Sequence, residues 1–223
     1  MVTGKKRIGV VLSGCGVYDG AEIHEATLTL YFLDKAGVEI IAMAPNIPQF
    51  HVIDHRSGAV TGETRNVLVE SARITRGKIQ DIAEVKGQDL DAIILPGGFG
   101  AAKNLSTVAF DGANATVNPE VSRLLHEMAQ AKKPIGALCI APALLSKVFA
   151  GQGITLTIGD DDGVAGAIEQ MGNTHQNSHC DGIVIDAANR IVTTAAYMCA
   201  SSIGEAGQGI EKLITQILKM VGP

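Results

Sequence analysis

The chain has 223 residues, of which 46% are hydrophobic and 18% charged, and its net charge is −5. This length suits one compact domain, while the absence of Trp and of any long Lys/Arg block argues against binding to nucleic acid or to an anionic membrane. Apolar runs are only strand-sized, so no membrane span is expected. The four cysteines are far apart and no export signal is evident, which predicts reduced thiols and a cytoplasmic location.

The first 45 residues predict a β-α-β unit. Arg7–Leu12 is a β-branched run followed by glycines, which is typical of a buried strand that ends in a loop. Apolar residues recur at helical spacing over Glu22–Ala36, and Gly37 is a suitable end for that helix. Val38–Met43 is the next strand, and a strand-helix-strand order predicts that the two strands are parallel.

Gln49–Arg76 breaks this alternation and is predicted to be an insertion or a side sheet on the main core. Phe50–Ile53 and Ala59–Thr61 flank an Arg-Ser-Gly turn, which predicts a hairpin. A helix is predicted to follow over Asn66–Ile74.

The alternation of strands and helices resumes after residue 90. The helix that begins near residue 119 has Asn118 as its N-cap and Pro119 at its first position. The pattern predicts a single domain over residues 1–223, with an open, mostly parallel sheet covered on both faces. The predicted elements in order are a strand over Asp91–Leu95, a helix over Pro119–Ala131, a strand over Pro134–Leu138, a helix from Ala141, strands over Gly153–Ile158, Ile183–Ile185 and Ile191–Thr194, and a helix over Ala200–Val221.

Cys139 is the strongest candidate for a reactive residue. It lies between an apolar strand and a helix, in the arrangement of a nucleophile elbow. A thiol in such a turn faces the following amides, and the helix dipole is expected to lower its pKa. The alternative is a buried core cysteine, but a position at the junction rather than within the strand favours a functional thiol.

Two glycines follow another predicted strand at Pro96-Gly97-Gly98. Taken alone, they describe a simple strand-to-loop turn. Together with Cys139 they lie at carboxyl ends of strands, where open α/β sheets bind ligands. The amides of Gly98 and Ile140 are therefore predicted to form an oxyanion hole.

Glu22, His24 and Glu25 open the first helix. Acidic residues in a first turn are favoured by the helix dipole, which is a sufficient structural reason for them. The functional hypothesis is that one carboxylate reaches the thiol and moves a proton. The residues alone do not choose between Glu22 and Glu25.

Three further motifs are interpreted as structural. Ser13–Gly20 has the spacing GxGxxxG, which is one residue too long for a dinucleotide loop, although Cys15 could line a pocket. His175 and His179 have a spacing seen in metal sites, but their Gly/Asn-rich surroundings predict polar loop residues. Asp160-Asp161-Asp162 predicts a solvated turn that could deliver one acid to the site.

Three longer segments resemble a known family: SGCGVYDGAEIHEA (Ser13–Ala26), LPGGFGAAKNLS (Leu95–Ser106) and ALCIAPA (Ala137–Ala143). They are similar to the ThiJ/PfpI superfamily, which has the class I glutamine-amidotransferase-like fold. Within it the chain resembles the ElbB type, the bacterial isoprenoid-biosynthesis glyoxalases, including over His55–Gly77. The resemblance implies a flavodoxin-like three-layer sandwich with a mostly parallel central sheet and a small hairpin insertion.

The resemblance also implies a function. It makes Cys139 the nucleophile and assigns the helix-one glutamate to Glu25, with Glu22 beside it; Gly97, Gly98, Ile140 and Asn104 are the predicted oxyanion and substrate-binding residues. The implied activity is glutathione-independent conversion of glyoxal or methylglyoxal to a 2-hydroxy acid. No metal or organic cofactor is implied, and a homodimer is expected.

One departure from the family pattern bears on the chemistry. Many relatives carry a histidine directly after the elbow cysteine or after the following strand, where this chain has Ile140 and Gly159-Asp160. Amidotransferase or protease chemistry, which needs that base, is therefore disfavoured. The alternatives to a glyoxalase are a thiol-based stress sensor or binding protein, and an amidotransferase-like remnant that needs a partner chain.

Overall fold

The computed structural model of the chain describes residues 4–222. Helices and strands alternate along most of it. The strands are β1 (Arg7–Val11), β2 (Glu39–Ala44), β3 (Gln80–Asp81), β4 (Ala92–Leu95), β5 (Ile135–Leu138), β6 (Thr155–Leu156), β7 (Thr174–His175), β8 (Val184–Asp186) and β9 (Ile191–Thr194). The α-helices are α1 (Ile23–Lys35), α2 (Val67–Ile74), α3 (Phe99–Lys103), α4 (Val108–Asp111), α5 (Pro119–Gln130), α6 (Ala141–Val148), α7 (Asp162–Gln170) and α8 (Ile203–Val221).

Seven strands form the central sheet in the order β3-β2-β1-β4-β5-β9-β8. All neighbours are parallel except β8 and β9, which are antiparallel. Strands β6 and β7 form a separate parallel pair. Because β1, β4, β5 and β9 are consecutive in the sheet and run the same way, their carboxyl ends share one edge.

Each face of the sheet is covered by helices. On one face, Ala26 and Leu33 of α1 and Leu213 of α8 join a buried cluster with residues of the strands. On the other, Leu124 of α5 and Leu144 of α6 belong to the second large cluster. This arrangement confirms the predicted three-layer sandwich with a mostly parallel sheet.

Most predicted elements begin and end within a few residues of the observed ones. Asn118 caps α5 through its side chain, and Asn66 does the same for α2. The predicted hairpin is present as a short antiparallel contact between Ile53 and Val60. The pattern missed β3, α3, α4, α7 and β7, because the strands have only two residues each, α3 and α4 are a turn or so long, and α7 contains two glycines.

No helix within residues 4–222 is long and apolar enough to cross a membrane.

Candidate functional site

Cys139 occupies the turn between β5 and α6. Its backbone has φ 59°, a left-handed conformation that L-residues adopt only when the surrounding structure enforces it. The Cys139 amide donates to the carbonyl of Thr194 at the end of β9, 3.0 Å away, which fixes the turn to the sheet. The side chain is only 8% exposed. The thiol therefore lies beneath the surface at the carboxyl edge of the sheet.

Gly97, which follows β4, lies directly against this thiol. A β-carbon on Gly97 would be 2.9 Å from the Cys139 sulfur and 2.8 Å from Oε2 of Glu25. Both distances are shorter than real side-chain contacts, so only glycine fits here. The glycine lets two functional side chains approach the same backbone atom.

Glu25 reaches the site from the first turn of α1. Its Oε2 accepts a hydrogen bond from the Gly97 amide (3.0 Å), and its Oε1 accepts one from the Tyr197 amide (3.2 Å). Glu25 is 0% exposed. Burial, and next the negative charge of Glu22, raise the pKa of Glu25 from 4.5 to about 8, although both amide bonds and a hydrogen bond with Cys139 oppose this.

The thiol of Cys139 is also less acidic than an ordinary cysteine. Burial raises its pKa, and the nearby Glu25 carboxylate raises it further, while hydrogen bonds from the Gly98 and Ile140 amides act in the opposite direction with smaller effect. The prediction of a lowered thiol pKa is therefore wrong, because loss of water around the sulfur outweighs the amides. These two amides are the ones that the sequence predicts to form an oxyanion hole, and in the structure they interact with the sulfur itself.

Glu22 lies beside Glu25 but has a different role in the structure. It is the N-cap of α1, and its Oε2 accepts a hydrogen bond from the Glu25 amide at 2.7 Å. Its own amide donates to the Gly97 carbonyl (3.0 Å), which ties the helix to the glycine turn. The hydrogen bond with the thiol is made by Glu25.

Tyr197 is a site residue that the sequence analysis missed. It follows β9 in a turn where Ala196 has φ 42°, and its amide holds Glu25. Its hydroxyl lies 2.9 Å from Nδ1 of His24, at the exposed rim of the site. Burial, followed by the charges of Glu22 and Glu25, raises the pKa of Tyr197. The one available signal in the sequence was its place three residues after a predicted strand that ends at the same edge of the sheet.

Asn104, a predicted substrate-binding residue, is buried, and its side chain is hydrogen-bonded within the fold. Its Nδ2 donates to the carbonyls of Ser13 (2.8 Å) and Asp19 (2.9 Å). Its Oδ1 accepts a hydrogen bond from the Phe50 amide (2.9 Å). Because these three bonds occupy the amide, Asn104 joins the loop after β1 to the insertion rather than presenting a free group to a ligand.

The residues of the remaining candidate motifs make contacts that stabilise the fold. His175 lies on β7, not in a loop as predicted, and its Nε2 accepts a hydrogen bond from the Ile158 amide at 3.3 Å. Asp161 caps α7. Cys15 is partly buried, and burial raises its pKa. Within residues 4–222, no group of three potential ligands is placed to hold a metal ion.

A family model and curated relatives place this chain in one protein family. A family model described as the DJ-1/PfpI family matches residues 15–201. The human protein named glutamine amidotransferase-like class 1 domain-containing protein 3, mitochondrial, is 47% identical and the match covers 97% of this chain and 84% of that protein. The zebrafish (Danio rerio) mitochondrial ES1 protein is 33% identical over 87% of this chain and 78% of its own length.

A solved structure shows the same fold. The isoprenoid biosynthesis protein with an amidotransferase-like domain from Ehrlichia chaffeensis has a TM-score of 0.90 and 38% identity, covering 96% of this chain and 99% of that one. The resemblance to the ThiJ/PfpI superfamily is thus confirmed. The predicted cytoplasmic location, however, is contradicted, because the human, rat and zebrafish relatives are all named as mitochondrial.

Proposed function

The chain belongs to the DJ-1/PfpI family, and from this premise we propose that it is a glutathione-independent glyoxalase that converts small α-oxoaldehydes to 2-hydroxy acids. The observation that carries the proposal is the contact between the fully buried carboxyl of Glu25 and the thiol of Cys139. Such a pair supplies both groups that the reaction needs: a nucleophile and an adjacent acid/base.

The first step is addition of the sulfur to the aldehyde carbon. As the carbon–sulfur bond forms, the thiol proton passes to the Glu25 carboxylate and the aldehyde oxygen becomes negatively charged. In this proposal the amides of Gly98 and Ile140, which interact with the Cys139 sulfur, stabilise that charge. Return of the proton from Glu25 to the oxygen gives a neutral hemithioacetal.

The second step moves hydrogen between adjacent carbons. Glu25 removes the proton from the former aldehyde carbon and delivers it to the neighbouring carbonyl carbon, while the hydroxyl proton passes to the neighbouring oxygen, so that a 2-hydroxy thioester forms. No external oxidant or reductant is needed, because one carbon is oxidised and the other reduced. Water then cleaves the thioester and restores the Cys139 thiol.

The raised pKa values favour this function over redox sensing. Oxidation by peroxides requires a thiolate, and burial keeps the Cys139 thiol in its neutral form. In the proposed mechanism, the thiol needs to lose its proton only as it attacks, and the neighbouring Glu25 carboxylate receives that proton. The same chemistry makes the rate modest at neutral pH, where most of Glu25 is protonated.

The test is formation of lactate from methylglyoxal by the purified protein without glutathione. Wild-type protein is expected to form lactate and Cys139→Ala to form none above the uncatalysed rate. Cys180→Ala, which removes a partly exposed thiol elsewhere, is the matched control and is expected to keep full activity. Full activity in Cys139→Ala, or no lactate from wild type between pH 7 and pH 9, about one unit either side of the Glu25 pKa of about 8, contradicts the proposal.

A further inference from the structure

Two partly exposed cysteines, Cys180 and Cys199, lie on segments that pack against each other. The Cys199 thiol donates to the carbonyl of Ser178, with the sulfur 3.8 Å from the oxygen. Further along the same segment, the Gly182 carbonyl accepts a hydrogen bond from the Thr194 hydroxyl at 2.6 Å. The two segments therefore run antiparallel, and Cys180 lies midway between these two contacts.

The two thiols are neighbours but are not bonded to each other. Cys180 is two residues along the chain from Ser178, so its α-carbon lies within roughly 10 Å of the Cys199 sulfur. Burial raises the pKa of Cys199, and the charge of Cys180 raises it next, so each sulfur lies within range of the other's charge. A disulfide holds the α-carbons of its cysteines about 4.4–6.8 Å apart. Pairing these two thiols therefore requires a shift of a few ångströms in one segment.

The segment that carries Cys180 is fixed to helix α8. Asp181, the next residue, forms an ion pair with Lys212 at 3.0 Å. The Cys180 carbonyl lies directly against Gly209, where the oxygen leaves no room for a β-carbon. A movement that joins the two sulfurs is therefore made by Cys199 and the residues next to it.

Cys199 shares one short turn with a residue of the candidate active site. It ends the single helical turn Ala196–Met198, and its amide donates to the Ala196 carbonyl at 3.2 Å. Tyr197 lies inside that turn, and its amide donates to Oε1 of Glu25. A shift of Cys199 toward Cys180 therefore draws the Tyr197 amide away from the Glu25 carboxyl group.

We propose that Cys180 and Cys199 are a redox modification site whose disulfide releases the Tyr197 amide from Glu25. The oxidant is a low-molecular-weight disulfide, glutathione disulfide. The Cys180 thiolate attacks one of its sulfurs, the sulfur–sulfur bond breaks, and one glutathione leaves as a thiolate. The Cys199 thiol then loses its proton, attacks the Cys180 sulfur of the mixed disulfide and expels the second glutathione. Two protein thiols are thus oxidised, and one glutathione disulfide is reduced to two thiols.

The first test is incubation of the intact protein with glutathione disulfide at about pH 8, where thiolates form, followed by mass spectrometry and peptide mapping. Wild type is expected to lose two thiol hydrogens and to gain a cross-link between Cys180 and Cys199 that dithiothreitol removes. Cys199→Ser is expected to stop at a mixed disulfide that retains one glutathione. The matched control, Cys15→Ser, removes another partly exposed thiol and should still form the cross-link. A lasting glutathione adduct in wild type, a cross-link to Cys15 or Cys139, or a cross-link that forms only in urea would overturn the proposal.

The second test follows the Tyr197 amide by NMR in the reduced and the cross-linked protein. In the reduced protein its chemical shift should follow the titration of Glu25, whose pKa is about 8, because the two groups are hydrogen-bonded. In cross-linked wild type this pH dependence should be lost. In Cys180→Ser treated with the same oxidant it should remain. An unchanged pH dependence in the cross-linked protein would show that the disulfide does not reach the candidate active site.

The effect of the disulfide on lactate formation is the one part of this inference that rests on the proposed function. The Tyr197 amide lowers the pKa of Glu25, so its release leaves less of the base form near pH 8, and cross-linked wild type should be at least about threefold slower than reduced wild type. Equal rates for the two forms would contradict this regulation. Reduced wild type that forms no lactate would contradict the glyoxalase proposal instead, while the mass and NMR measurements still decide whether the disulfide forms and reaches Glu25.

Discussion

The carboxyl group of Glu25 and the thiol of Cys139 both lie against the α-carbon of Gly97, so close to it that a β-carbon on residue 97 would not fit. Burial raises both pKa values, so at neutral pH both groups are mainly protonated. This relationship determines how the site should respond to pH and to substitution.

Glu25→Gln is expected to abolish the pH dependence of lactate formation along with most of the activity. In wild type, kcat/KM should rise about tenfold between pH 7 and pH 9, because the base form of Glu25 increases through a pKa of about 8. Glutamine cannot accept the thiol proton, so the kcat/KM of the variant should be at least about 100-fold lower and should not change between pH 7 and pH 9. Glu84→Gln, at an exposed position, should retain the wild-type profile. A wild-type profile that does not change between pH 7 and pH 9 contradicts the role given to Glu25.

Stability should fall as pH rises from about 5 to about 8. The pKa of Glu25 is about 8 in the folded protein against 4.5 ordinarily, so between these values the folded state holds a proton that the unfolded state has lost. Unfolding then releases a proton, and the contribution lost across this window is on the order of 4 kcal/mol. Urea unfolding at a series of pH values measures this change in the free energy of unfolding.

In the Glu25→Gln variant, the free energy of unfolding should fall less steeply with pH over the same window. It is expected to be less stable than wild type at pH 5, because its NH2 group must face the amide of Gly97 or of Tyr197. The two proteins are therefore compared by the pH dependence of the free energy of unfolding and not by its absolute value. Equal slopes for the two proteins would show that another group is responsible.

Gly97→Ala is expected to reduce activity by about 100-fold or more. The added methyl group would collide with the Cys139 side chain and with Oε2 of Glu25, and displacement of either group by a fraction of an ångström disrupts the reacting geometry. Gly166→Ala on α7 is the matched control, because a β-carbon there meets no atom within 4 Å. Its activity should be unchanged and its helix slightly more stable. Near-normal turnover in Gly97→Ala would mean that the thiol and the carboxyl need not be in contact.

Asn104→Asp is expected to destabilise the protein by about 2–4 kcal/mol, because a carboxylate would face the Ser13 and Asp19 carbonyls without a proton to donate. The exposed Asn177→Asp provides the same chemical change without buried partners and should have little effect. Thermal unfolding of both variants measures the difference. If Asn104→Asp is as stable as Asn177→Asp but has a higher KM, Asn104 has the substrate-binding role that the sequence suggested.

The sequence by itself determined the order of the main elements and the position of the reactive turn. Short β-branched runs alternate with amphipathic helices, and that local pattern is enough to predict a parallel sheet covered on both faces. It also places Cys139 and Gly97 at strand ends, because a strand that runs into a glycine pair or a helix start is visible within a few residues.

Only the tertiary structure decided what surrounds the thiol. Glu25, Gly97, Cys139 and Tyr197 come from four segments spread over 172 residues of chain, and no local pattern states which of them touch. The direction of the thiol pKa shift depended on the same packing: the helix dipole can be inferred from sequence, but the near-complete burial of Cys139, which outweighs it, cannot. Likewise, Asn104 lies within a segment that resembles the family, but its three hydrogen bonds depend on loops that meet only when the sheet has formed.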